Sequence, residues 1–310
     1  MNNLLVRTLS GIVFVALMAA CILFNQYSYL ALISVILVGS LNEYFNITAG
    51  QLSKGTNRLP AKWLVIILGL IVYWKSFLLT SPPATGTPNF DNLAIAFFQG
   101  LTRLRDSNFT MMATIPIIIF IMFIYELFNN AEKPFENIGW NVVAITWIVT
   151  PLVLTNNLYF GKGGAFLLSI FFLIWVYDSA SYAVGSLLGK HKLFERVSPK
   201  KTIEGLIGGV IFTLGFAWFF HRCKLLASLS PVEWELLAVL IIIAATFGDL
   251  VESLLKRNLN LKDSGSIMPG HGGFLDRFDA YFLTVPFVIG GLWLITQIQG
   301  MLLIVDYLSK

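Results

Sequence analysis

The sequence predicts an all-α, polytopic integral membrane protein with about nine transmembrane helices. Three observations carry that prediction. Only 12% of the 310 residues are charged, against about one quarter in a soluble domain. Mean hydropathy is +0.76. The apolar residues form continuous runs, most close to the roughly 20 residues a helix needs to cross a bilayer, and not the alternating pattern of a membrane β-barrel.

In order, the expected spans cover 9–25, 28–46, 63–80, 109–129, 139–160, 164–187, 205–221, 232–256 and 280–299. The first follows Arg7 as a signal peptide would, but no small-residue cleavage site leads into a soluble domain, so it reads as a retained helix. Glu43 and Glu126 close the second and fourth spans and read as interfacial acids. A Pro/Thr/Asn-rich loop at 81–92 precedes an interfacial segment at 93–108, where Leu93–Phe98 is followed by Arg103 and Arg105. The sixth span carries Asp178, and the eighth runs from Leu236–Ile243 into Gly248-Asp249. The tail 301–308 is apolar but short for a tenth span. No repeat or low-complexity tract interrupts the series. The organisation is five spans in 1–160 and a catalytic region in 161–310 with loops 187–204 and 256–279, read together as one structural unit.

Lys and Arg set the orientation. With a cytoplasmic N-terminus and nine spans, 14 basic residues face the cytoplasm and six the other side, with Lys75 inside a helix. Loops 187–204 and 256–279 are then cytoplasmic, where nucleotides and metal ions are available. The net charge of +4 decides little. Cys21 and Cys223 lie in or beside apolar segments and form neither a disulfide framework nor a zinc pattern.

Ser253–Asp279 packs Lys256, Arg257, Lys262, Asp263, His271, Asp276, Arg277 and Asp279 into 27 residues. Cations and carboxylates threaded with glycines point to phosphate plus a metal ion. Asp276 and Asp279 share one helix face by their spacing. Two such acids suit magnesium; the alternative is a solvated helix start, where acids are favoured. Asp249 and Asp178 are intramembrane acids and therefore functional candidates, the alternative for Asp249 being a protonated or paired structural acid. Glu252 shares a face with Asp249 and also stands four residues before Lys256, so it reads either as a site residue or as an ion-pair partner.

Ser198-Pro-Lys-Lys-Thr-Ile-Glu204 reads as a helix start, with Ser198 as cap and Pro199 at the first position. Lys200 and Lys201 in a first turn make sense beside an anion, and the free N–H groups complete a phosphate site; the alternative is an ordinary positive-inside loop. Gly270-His-Gly-Gly273 offers tight backbone next to Asp276, with Gly272 and Gly273 able to approach a ligand closely. His271 reads as a phosphate contact, or as a donor that supports one, ahead of an acid/base role. His191 and His221 read as ordinary loop or span-end residues. Gly185/Gly189 and Gly205/Gly209 have GxxxG spacing and read as close helix packing.

The 253–279 stretch resembles the signature of the phosphatidate cytidylyltransferase (CDP-diacylglycerol synthase) family. Ser253, Lys256-Arg257, Lys262-Asp263, His271-Gly-Gly273, Asp276-Arg277 and Asp279 fall at the family's spacing, with Met268 a minor departure. Asp178, Ser198–Thr202, Glu204-Gly205, Gly248-Asp249, Glu252-Ser253, Arg7–Gly11 and Glu43-Tyr44 also look family-like. The resemblance implies that CTP and phosphatidic acid give CDP-diacylglycerol and pyrophosphate in phospholipid biosynthesis, with Mg2+ and room for a second cation. It implies Asp249, Asp276 and Asp279 as metal ligands. Lys200, Lys201, Lys256, Arg257, Lys262 and Arg277 would grip phosphates, with Asp263 and Asp178 in support. The location implied is the inner membrane, multi-pass, with N-terminus and active site facing the cytoplasm. No nucleic-acid partner is expected, and the glycine spacings permit a homodimer.

Two rivals remain open at this level. A proton- or ion-coupled transporter would also carry acids inside its spans, although the cations gather at one membrane face. A CTP-dependent polyprenol or lipid kinase would use the same nucleotide but release CDP. The Asp-Gly…Ala-Arg…Gly…Asp…Asp pattern of the CDP-alcohol phosphotransferases is not found.

Overall fold

The computed structural model describes residues 3–51, 58–82, 107–129, 131–222, 229–265 and 272–308. Among these, seven helices are long and apolar enough to cross a membrane, and two shorter apolar helices, Ser10–Phe24 and Thr114–Phe128, lie at the first and fourth expected spans. The protein is thus an all-α, multi-pass membrane protein. The chain separates into two compact units: Met1–Gly164 with Ser264–Leu275, and Ala165–Asp263 with Asp276–Lys310.

The first unit contains α1 (Asn3–Phe24), α2 (Gln26–Thr48), α3 (Arg58–Thr80), α4 (Ser107–Phe128), α5 (Pro134–Ala144) and α6 (Thr150–Lys162). Asn25 alone separates α1 from α2. Its Oδ1 accepts from the N–H groups of Tyr27 and Ser28, both at 2.8 Å, and the Ser28 hydroxyl accepts the Asn25 N–H at 3.2 Å. This capping box starts a new helix without a loop. Between α5 and α6 the chain makes a π-helical turn, Ile145–Val149. Pro151 lacks an N–H and crowds the preceding turn, and a wider turn relieves both. The three pieces together form one apolar stretch, Pro134–Lys162.

Polar contacts tie these helices where lipid offers no hydrogen bonds. The Tyr29 hydroxyl donates to Asn156 Oδ1 at 2.9 Å, and its ring stacks on Tyr159 with centroids 3.8 Å apart. Glu126, expected at an interface, is buried instead. Its Oε2 accepts from the side-chain amides of Asn129 and Asn137 at 3.3 and 3.2 Å.

The second unit is built from α7 (Gly164–Leu188), a hairpin of β1 (Lys192–Phe194) and β2 (Ser198–Thr202), then α8 (Ile203–Arg222), α9 (Pro231–Asn258) and α10 (Leu275–Leu308). Small residues let α7 and α8 touch through their backbones: a Cβ on Gly205 would stand 3.1 Å from Gly185 Cα, and one on Gly208 would meet Val184. Phe171 of α7 stacks on Tyr281 of α10, with centroids 4.1 Å apart. The α10 helix continues through the apolar tail to Leu308.

The hairpin corrects the expected helix start at Ser198. Ser198–Thr202 is an antiparallel strand, with Lys192 opposite Thr202 and Phe194 opposite Ser198. A residue before proline is pushed towards extended backbone, which suits Ser198 to a strand. The cap moves four residues on: Thr202 Oγ1 accepts the Gly205 N–H at 3.2 Å, and α8 begins at Ile203. Glu204 then holds the preceding loop, accepting the Lys190 N–H at 3.0 Å and meeting His191 Nδ1 at 2.6 Å.

The end of α9 is equally specific. Asn260 adopts φ 56°. The Leu261 N–H reaches the Lys256 carbonyl at 2.8 Å and the Asn260 N–H reaches Arg257 at 3.1 Å. This is a Schellman motif, with asparagine tolerating the left-handed position.

Candidate active site

The second unit collects its acids on two helices. Asp249, Glu252, Ser253 and Lys256 occupy one stripe of α9, spaced as i, i+3, i+4 and i+7. Asp276 and Asp279 lie at the start of α10. Gly248 lets these helices meet at this level: a Cβ there would stand 2.8 Å from the Asp279 carbonyl oxygen and 2.9 Å from Ala280 Cα. Any larger residue would separate the two sets of carboxylates.

Asp249, Glu252 and Asp279 each offer one oxygen, and these oxygens lie within 4.8 Å of one another. Glu252 is 1% exposed and Asp279 8%. Both Glu252 oxygens are buried without a well-directed hydrogen bond among the described residues. Two lysines answer part of the charge. Lys256 Nζ lies 2.5 Å from Glu252 Oε2 and 2.8 Å from Asp276 Oδ1. Lys201, carried by β2, pairs with Asp249 Oδ2. The Ser253 hydroxyl donates to Asp249 Oδ1 at 3.4 Å. Asp178 on α7 has Asp249, Lys201 and Arg277 as charged neighbours, and Asp279 has Asp249, Asp178 and Lys256. Asp178 is solvent-exposed.

Buried charges persist when they are paired or bind metal. Here carboxylates outnumber the lysines that reach them, and the surplus is all oxygen. That donor set fits a hard divalent cation such as magnesium. The three grouped acids are Asp249, Glu252 and Asp279; Asp276 turns to Lys256.

The other expected residues divide by position. Lys200, Lys262, Asp263 and Arg277 are exposed, and Ser198 is half-buried on β2. Arg257 is engaged with main chain: Nε donates to the Val197 carbonyl at 3.4 Å and an Nη to that of Leu261 at 3.3 Å, so it braces the hairpin against the turn after α9. Gly272, with φ 81°, and Gly273 belong to the first unit. Glu43, expected at an interface, is buried there against the same segment, because its carboxylate accepts the Leu275 N–H and the Ser264 hydroxyl. His271 lies outside the described residues, as do Cys223, 83–92 of the expected loop and 93–106 of the expected interfacial segment.

Sequence reasoning left Glu252 undecided, although its spacing from Asp249 was the signal. It gave Gly248 no role, because a glycine's task shows only when the opposite helix is in place.

The sequence model of the cytidylyltransferase family matches residues 5–295. The chain is 32% identical to the phosphatidate cytidylyltransferase of Bacillus subtilis over 231 residues, covering 72% of this chain and 76% of that protein. It is 39% identical to the phosphatidate cytidylyltransferase of Staphylococcus aureus over 177 residues, covering 54% and 64%. The corresponding Staphylococcus saprophyticus protein is 34% identical over 169 residues, with the same two shares. The staphylococcal matches thus span just under two thirds of those proteins. The family match runs from α1 into α10 and takes in every acid of the cluster, and the chain belongs to the cytidylyltransferase family.

Proposed function

We propose that the protein transfers the cytidylyl group of CTP to phosphatidic acid, forming CDP-diacylglycerol and pyrophosphate. The observation that carries this reading is the grouping of Asp249, Glu252 and Asp279 beside Lys201 and Lys256 in a membrane protein of this family. A phosphate oxygen of the lipid attacks the α-phosphorus of CTP. The bond from that phosphorus to the bridging oxygen of the β-phosphate breaks, and pyrophosphate leaves with the electron pair. The attacking oxygen is already anionic near neutral pH, so the protein's task is alignment and charge neutralisation.

Asp249, Glu252 and Asp279 would hold Mg2+, which supplies positive charge at the phosphate oxygens when bound. Asp276, like Glu252, pairs with Lys256 and holds it in place. Lys201 and the exposed Lys200, Lys262 and Arg277 are the cations open to a triphosphate and a lipid phosphate. Asp178 and Asp263 orient these cations. We place the site at the cytoplasmic face of the inner membrane, with a cytoplasmic N-terminus, on the distribution of Lys and Arg.

The test is to identify the nucleotide product. Purified protein with labelled CTP and phosphatidic acid yields labelled lipid and pyrophosphate. Release of CDP instead would identify a lipid kinase and overturn the reading.

A further inference from the structure

The segment Ser264–Leu275 belongs to the first unit, where one side chain meets it near both ends. Glu43, in the last two turns of α2, is 3% exposed. Its Oε2 accepts the Leu275 N–H at 2.9 Å and the Ser264 hydroxyl at 3.3 Å. Leu275 is the first residue of α10, so its N–H is one that a helix start leaves without an intrahelical partner. A carboxylate there makes a charge-assisted bond at the positive end of the helix dipole. No Lys or Arg stands within ion-pair distance of Glu43 among the described residues.

Glycines make the room for this contact. A Cβ on Gly265 would stand 2.6 Å from Glu43 Oε1, and one on Gly273 would overlap the carboxylate. One turn earlier on α2, a Cβ on Gly39 would lie 2.6 Å from the Phe274 ring. Gly39 and Glu43 are four apart and so present one face of α2: a slot for the ring and an acceptor for the backbone beside it.

We infer that Glu43 is a positioning residue: it anchors both ends of the 264–275 segment and fixes the first turn of α10, whose next residues are Asp276, Arg277 and Asp279. The kinetic consequence rests on the proposed reaction; the anchoring does not.

Two readouts test it. Glu43→Ala lowers kcat by about tenfold or more, the equivalent of one charge-assisted hydrogen bond, with KM for phosphatidic acid within about twofold. Glu43→Gln keeps a carbonyl acceptor for Leu275 and Ser264 and recovers activity to within about threefold of wild type. Gly273→Ala, which displaces the carboxylate, reproduces the Glu43→Ala loss alone but adds less than about twofold to it, as coupled sites do. Wild-type kcat in Glu43→Ala, or fully additive losses, would overturn the inference. If Glu43→Ala fails to assemble in detergent, the contrast between Glu43→Gln and Gly273→Ala decides, and equal losses in both count against it. Should wild type make no CDP-diacylglycerol, hydrogen exchange decides. Peptides covering 272–278 exchange faster in Glu43→Ala while α3 and α6 do not; unchanged exchange sinks the anchor whatever the reaction is.

Discussion

Glu43 and Glu126 of the first unit and the acid cluster of the second are handled in opposite ways. In the first unit they stand singly. Glu43 is met by a backbone N–H and a hydroxyl, and Glu126 by two asparagine amides. Each has neutral donors, and no lysine or arginine stands at ion-pair distance among the described residues. In the second unit Asp249, Glu252 and Asp279 crowd within 4.8 Å, and the lysines between them are too few. A lone acid served by neutral donors holds helices together. A crowd of acids short of cations supports the proposed ligand site, because mutual repulsion in a low-dielectric interior has no structural benefit.

The contrast can be broken by substitution. The largest effect is expected from Asp249→Asn, which should cut turnover by about a thousandfold while the protein still inserts in membranes; labelled CTP incorporation measures it, and substantial residual activity would remove Asp249 from the site. Next, Glu252→Gln keeps the shape and loses one charge. A loss of about a hundredfold, partly recovered at higher Mg2+, is expected if Glu252 is a ligand; a loss indifferent to Mg2+ would leave it only an ion-pair partner of Lys256. Gly248→Ala forces α9 and α10 apart and should cost about tenfold, in keeping with the sensitivity of catalysis to small misplacements. The smallest effect belongs to the first unit: Glu126→Gln should change turnover by less than about twofold and lower the detergent melting temperature by a few degrees at most, the scale of one hydrogen bond. If Glu126→Gln matched Glu252→Gln in lost turnover, the division between the two kinds of acid would fail.

The features legible in the sequence were those set by local composition. Span positions follow from runs of apolar residues, and Asp249, which the structure places among the grouped acids, stood out as a carboxylate after Leu236–Ile243. Features that depend on distant partners were not legible. Ser198-Pro-Lys-Lys has the form of a helix start, but the Ile203 N–H goes to the His191 carbonyl at 2.9 Å and Glu204 grips the loop before it, which favours a hairpin. Glu43 meets Leu275 from 232 residues away, and nothing near Glu43 in the chain reveals that. Glu252 satisfied both of its readings at once, since one helix face carries Asp249 before it and Lys256 after it.

One consequence of the crowded acids concerns affinity. Asp178, Asp249, Glu252, Asp276 and Asp279 outnumber Lys201, Lys256 and the exposed Arg277, their cationic neighbours among the described residues. A bare triphosphate approaching that surplus is repelled, and a divalent cation approaching it is attracted. On the proposed reading, nucleotide and ion would be mutual effectors at a single locus. By reciprocity, whatever factor the ion adds to the affinity for nucleotide, the nucleotide adds to the affinity for the ion, and saturation with either one in isolation understates how tightly the pair is held.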